Sequence, residues 1–327
     1  MLFPLGWSLY YNEPDSPAFA LSIGISVASG LLLWRLTPGG EGRLSRREAI
    51  MLVAGAWALA SAFGAIPYEL AGTFHSYLNA YFEAMSGFTT TGASVLTSIE
   101  SQPHGILIWR NLTQWLGGMG IITLFVALFP IFGMGTAHLV EAEMPGPQAE
   151  RLTARIRDTV KSLWLLYLGF SALELILLWQ AGGMPIFDAL IVTFGTMPTG
   201  GFTATSLSIG AYNSLIIEGI VIAFMTIAGV NFGLYYFLFW RRQPKRLFSN
   251  PEFRLYIGLL TGASILIALN LTRSLGLSIG DAFRYSGFQA VSIMTTTGFS
   301  TTDFNLWPAF AKPTYCKQHR EIFNQYD

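Results

Sequence analysis

Charge is scarce in this sequence. Asp, Glu, Lys and Arg make up 12% of 327 residues, about half the roughly 25% of an ordinary soluble domain, which argues against a water-soluble enzyme. The 19 basic and 19 acidic residues cancel, and the basic ones gather on no single polar element, which argues against a nucleic-acid face. Cysteine is almost missing. Cys316 stands alone, so there is no internal disulfide framework, and in a polar tail it reads as an incidental thiol. The four histidines (His75, His104, His138, His319) lie scattered without ligand spacing, which argues against a metal centre. No cleavable leader is expected either. The first eleven residues are too short to span and have no basic start, so Met1–Tyr11 reads as the stump of a helix.

Apolar residues are abundant. They form 52% of the chain, the mean hydropathy is +0.47, and 9 Trp, 13 Tyr and 25 Phe suit a protein with two lipid–water interfaces. Crossing about 30 Å of hydrocarbon takes roughly 20 helical residues. Runs of that length are predicted near Pro17–Leu36, Ala49–Pro67, Ile106–Ile131, Val160–Gln180, Leu215–Trp240 and Phe253–Leu271. Between them lie shorter stretches, Tyr77–Phe88, Ile186–Pro198 and Asp281–Met294. These cannot span and read as re-entrant helices, tolerated only where protein or water covers them. Placing the loops after spans one, three and five in the cytoplasm gathers 13 of the 19 basic residues there, as the positive-inside rule requires. The same map needs each short segment to dip in and return to the outer side.

An internal repeat carries the chemistry. Phe82–Gly92 and Phe288–Gly298 match at seven of eleven positions, both ending Thr-Thr-Thr-Gly. A weaker third copy, Thr196-Met197-Pro198-Thr199-Gly200-Gly201-Phe202-Thr203, lies between them. Each copy ends one of the short apolar helices. A dehydrated cation needs several oxygens in place of its water shell, and backbone carbonyls can supply them. Aiming successive carbonyls one way demands backbone angles that Gly adopts cheaply, and Thr hydroxyls can add oxygens. The carbonyl end of each short helix carries partial negative charge, which favours a cation. One Thr-Thr-Thr-Gly would be a weak signal. Three copies, each after a helix too short to span, are a strong one.

On these segments the chain resembles the Trk/Ktr/HKT superfamily of potassium transporters, most closely its bacterial TrkH branch. The resemblance extends to about Ala311. It also rests on Trp109-Arg110-Asn111-Leu112-Thr113-Gln114-Trp115-Leu116-Gly117-Gly118-Met119-Gly120, on Glu143-Met144-Pro145-Gly146-Pro147 and on Asn231-Phe232-Gly233-Leu234-Tyr235-Tyr236. It implies an all-α integral membrane fold of span–pore-loop–span units around a central pore, four in the family. It also implies potassium as cargo without a cofactor, a bacterial inner membrane, a homodimer, and a cytosolic nucleotide-binding regulatory subunit. The filter residues it implies are Thr90, Thr91, Gly92, Thr199, Gly200, Gly201, Thr296, Thr297 and Gly298. Some relatives carry Ser at the first filter glycine and favour sodium; Gly92 here implies potassium.

The expected organisation is 1–47 as helices outside the repeats, 48–140 and 141–248 as pore repeats one and two, and 249–311 as an incomplete repeat three. Residues 312–327 form a polar tail read as aberrant. The family's fourth pore loop and its Gly/Ser-broken inner helix are not found, so a C-terminally truncated chain is expected, inactive by itself. The alternatives are therefore a fragment that no longer conducts and, less favoured, a membrane-embedded enzyme, against which stands the lack of a nucleophile–base pair, metal cluster or phosphate loop. Asn231, between Gly229 and Gly233, is a candidate cavity-lining residue. Gly117, Gly118 and Gly120 are expected to let their helix approach the filter. Glu174, mid-span, is a functional candidate whose plainer role is a bond to a neighbouring helix. Arg110 reads as an interfacial anchor that snorkels, and Arg284 as the partner of a nearby acid.

Overall fold

The computed structural model describes residues 1–37, 46–128, 148–239, 242–308 and 310–311. It is helical throughout, with no strand among the described residues. The helices are α1 (Leu2–Tyr11), α2 (Ser16–Leu36), α3 (Arg46–Leu70), α4 (Tyr77–Phe88), α5 (His104–Leu128), α6 (Gln148–Ile176), α7 (Ile186–Thr196), α8 (Leu215–Ala228), α9 (Phe232–Phe239), α10 (Pro244–Phe248), α11 (Pro251–Leu275) and α12 (Ile279–Met294). Among the described residues, four stretches are long and apolar enough to cross a membrane: Ser16–Leu36, Arg47–Leu70, Val160–Ala181 and Pro251–Leu275. They coincide with four of the six predicted spans. Helix α5 is long enough as well, at 25 residues and so about 37 Å at 1.5 Å per residue. The segment Glu143–Pro147, the end of the third predicted span and the tail from Lys312 onward lie outside the described residues.

One expectation needs correction. The predicted span Leu215–Trp240 is two helices, α8 of 14 residues and α9 of 8. Gly229 sits where an added Cβ would come 2.5 Å from the Tyr256 hydroxyl and 2.9 Å from the Thr295 methyl. Two residues on, the Asn231 side chain accepts the Gly233 N–H at 2.9 Å, taking a donor the helix would otherwise use in its ladder. Hydropathy alone does not register such a break.

The chain forms two compact units. In the first, residues 1–176 and 185–206, α5 packs against α1, α4, α6 and α7, and α3 packs against α2 and α4. Its core gathers Phe19, Tyr68, Ile106, Trp109, Leu112 and Phe194. The Trp109 indole N–H reaches the Gly64 carbonyl at 2.9 Å, so this large ring is buried without leaving its polar end unpaired. In the second unit, residues 177–184 and 207 onward, α12 packs against α8 and α11, around Ala268, Leu271, Ala282 and Trp307. Large apolar side chains stand exposed along α2 (Leu21, Ile25, Leu31, Leu32, Trp34) and α11 (Leu255, Leu259, Leu266, Leu269). Apolar belts this continuous suit lipid and not water.

The short helices have sequence-encoded beginnings. Ser76 accepts the Asn79 N–H and Ser278 the Asp281 N–H, satisfying donors that a helix start leaves orphaned. Helix α7 starts behind Pro185. The predicted short segments match α4, α7 and α12 to within a few residues.

Candidate ion-binding site

Each short helix ends the same way. Thr90, Thr199 and Thr296 take the left-handed conformation, with φ of 55°, 54° and 60°. The N–H of each bonds to the carbonyl three residues back, on Gly87, Thr196 and Ile293. The next N–H, of Thr91, Gly200 and Thr297, reaches five back to Ser86, Gly195 and Ser292. This is a Schellman closure, which usually puts Gly at the left-handed position. A β-branched residue there is a genuine outlier, and such strain gathers at functional sites. Two residues later the glycines that close the Thr/Gly segments are left-handed again: Gly92 at 77°, Gly201 at 78°, Gly298 at 85°.

The left-handed, other, left-handed order therefore recurs three times. In an extended strand, successive groups point to opposite faces. Reversing the backbone hand at every second residue interrupts that alternation, so carbonyls of such a segment can share one side, although in the middle segment the Gly200 carbonyl turns to Gln114. A row of carbonyls beside the negative end of a short helix is chemistry for a bare cation.

The hydroxyls differ between copies. Thr89 and Thr91 share a hydroxyl–hydroxyl bond of 2.8 Å, as do Thr295 and Thr297. Thr89 Oγ1 also donates to the Met85 carbonyl at 2.7 Å and Thr295 Oγ1 to that of Val291 at 2.9 Å. The middle copy has Pro198 and Gly200 at these positions and cannot form the pair.

Behind the first two segments lies a buried polar network. Glu83, on α4, accepts the Ser94 hydroxyl at 2.8 Å, the Val95 N–H at 3.0 Å and Arg110 Nε at 2.6 Å. Arg110, on α5, also donates to the Thr203 carbonyl at 3.2 Å. Its guanidinium lies 3.6 Å from the Phe202 ring centroid. Arg110 is thus no interfacial anchor. It is 2% exposed and Glu83 0%, and the pair joins the chain leaving the first Thr/Gly segment to the chain leaving the second. A lone Arg on an apolar helix suggests snorkelling; the available counter-signal was Glu83, an equally lone acid on an apolar helix, because intramembrane charges pair. The third copy has Gln289 at the place of Glu83.

Arg284, on α12, does pair with an acid. Its Nε and one terminal nitrogen each donate to a Glu218 oxygen at 2.7 Å. Gly117 and Gly118 fulfil their expected role, since added Cβ atoms would come 2.1 Å from the Phe88 carbonyl and 2.7 Å from Pro198. Gly120 abuts Trp57 instead. Glu174 is fully buried and its carboxyl makes no hydrogen bond of ordinary geometry. Asn231 lines a cleft of about 270 Å³ with Gly229, Tyr256, Leu259 and Met294.

Residues 15–316 match the family model TrkH, described as cation transport protein. The Trk system potassium uptake protein TrkH of Salmonella typhimurium is 37% identical over 317 residues, covering 95% of this chain and 65% of that protein. TrkG of Escherichia coli is 32% identical over 310 residues, covering 94% and 64%. The crystal structure of the potassium transporter TrkH from Vibrio parahaemolyticus superposes with a TM-score of 0.85 at 33% identity, covering 95% of this chain and 64% of that one. The chain thus spans just under two thirds of the length of these relatives. With four apolar spans among its described residues it is a multi-pass bacterial membrane protein, and it belongs to the TrkH family of cation transport proteins.

Proposed function

We propose that the chain serves potassium transport across a bacterial inner membrane, as part of the pore-forming subunit of a Trk-type uptake system. Thr90, Thr91, Gly92, Thr199, Gly200, Gly201, Thr296, Thr297 and Gly298 are its filter segments. The observation that carries the reading is the backbone: a left-handed Thr and a left-handed Gly two apart, three times, each after a short helix. The middle segment, with different side chains, reaches the same conformation as the two Thr-Thr-Thr-Gly copies, so the conformation is what the three repeats share. The names of the relatives supply the ion. Potassium is cargo, and the reading requires no cofactor or catalytic residue. A second copy of the chain and a cytosolic nucleotide-binding subunit are the partners implied by family resemblance. Co-purification with such a subunit tests that part.

The filter assignment is tested by Gly201→Ser and Gly298→Ser, with this sequence carried in a subunit of its relatives' full length. In a bacterium deficient in potassium uptake, both variants are expected to lower potassium uptake relative to sodium. Unchanged ion ratios in both would contradict the assignment.

A further inference from the structure

The middle Thr/Gly segment lacks the Thr–Thr hydroxyl pair of the other two, and another residue takes its place. Gln114, fully buried on α5, donates from Nε2 to the Gly200 carbonyl at 2.7 Å and accepts the Phe202 N–H on Oε1 at 3.1 Å. These two bonds bracket Gly201. A Cβ added to Gly200 would lie 2.4 Å from Gln114 Cδ and 2.6 Å from Oε1. The Thr found at this position in the other copies therefore has no room, because the Gln114 amide occupies it.

The consequence follows from peptide geometry. The described chain has no cis peptide, and in a planar trans peptide C=O and N–H point in opposite directions. The Phe202 N–H points at Gln114, so the Gly201 carbonyl on the same peptide plane points away from it. The Gly200 carbonyl, held by Gln114 Nε2, faces α5.

We infer that Gln114 is a positioning residue for the filter. It aims the Gly201 carbonyl away from α5 toward the ion and withdraws the Gly200 carbonyl from the ion's ligands. The inner helix of repeat one thereby sets the filter of repeat two. Gly201 contributes an ion-facing oxygen, whereas Gly200 is present to admit Gln114. The inference rests on the filter reading proposed above.

Two measurements on the purified full chain in lipid nanodiscs test it. The first is melting temperature in a double-mutant cycle. Gly200→Thr is expected to lower it, and Gln114→Ala, by vacating the space, to make the double variant melt higher than Gly200→Thr alone. Strictly additive losses would overturn the proposed seat. The second is ion binding, read from the rise in melting temperature on titrating potassium or sodium. Gln114→Ala is expected to reduce the preference for potassium over sodium by about tenfold, the scale of one lost hydrogen bond. Gln114→Glu, which keeps the acceptor for Phe202 but sets an oxygen against the Gly200 carbonyl, is expected to do the same. A merely structural role would lower the melting temperature and leave the preference intact, and that result overturns the inference alone. A parent chain binding both ions equally overturns the filter reading, and the inference with it.

Discussion

The glycine of a proposed filter segment does two separable things here. It accepts a left-handed backbone, and at some positions it also admits a close neighbour. Gly92 needs both, since its φ is 77° and an added Cβ would lie 2.1 Å from the Gly200 carbonyl. Gly298 needs only the first: its φ is 85° and no atom of the described residues would lie within 4 Å of an added Cβ. Gly298→Ala is therefore expected to cost about 1–2 kcal/mol, the usual penalty for a left-handed L-residue. Gly92→Ala should cost clearly more, because the obstacle is backbone. Thermal melts of the two variants check the order, and equal losses would contradict it. These glycines were legible in the sequence through their repetition. The left-handed Thr residues were not, because Thr favours extended backbone and nothing local announces a Schellman closure without Gly. The role of Gln114 was equally hidden: its partners lie more than eighty residues away, and a lone amide within a span has no distinctive spacing.

Among the elements, α5 carries most of the support for the first two filter segments. Its side chains at positions 110 and 114 reach the chain leaving the second segment, and Gly117 lies against the end of α4. Breaking a buried ion pair by removing one partner costs about 3–5 kcal/mol, because the other charge stays buried. Arg110→Gln or Glu83→Gln is expected to destabilise on that scale. Glu218→Gln should do less, since the Arg284 side chain left behind keeps 19% of its surface exposed. Comparing melting temperatures ranks them, and parity would contradict the network. A second tie joins the loops after the first two segments. Glu100 accepts the Ser206 N–H at 2.6 Å and its hydroxyl at 2.9 Å, and the Ser206 amide bond holds the carboxyl below the ordinary glutamate range. With a lowered folded value, this link is fully present above the ordinary value and lost as pH falls through the lowered one. Protection of the Ser206 amide, taken relative to its intrinsic exchange rate, should fall over that acidic window and be weak at all pH in Glu100→Ala. Protection independent of pH in the parent would contradict it. Helix positions were largely readable, because length and apolarity decide them. The break between α8 and α9 was not, since it depends on Gly229 meeting Tyr256 and on the Asn231 side chain capturing a backbone donor.

For the molecule as a whole, the family relation and the triplicated Thr/Gly segment point the same way. Relatives at 32–37% identity are named for potassium uptake, and the fold matches that of a solved potassium transporter over 95% of the chain. We propose that alternating backbone hand builds a binding site preferring potassium to sodium. Isothermal titration of the purified chain with potassium chloride and with sodium chloride tests it most directly. Potassium binding at least about tenfold tighter, a difference of roughly 1.4 kcal/mol, is the predicted result. Equal affinities, or a preference for sodium, would contradict it.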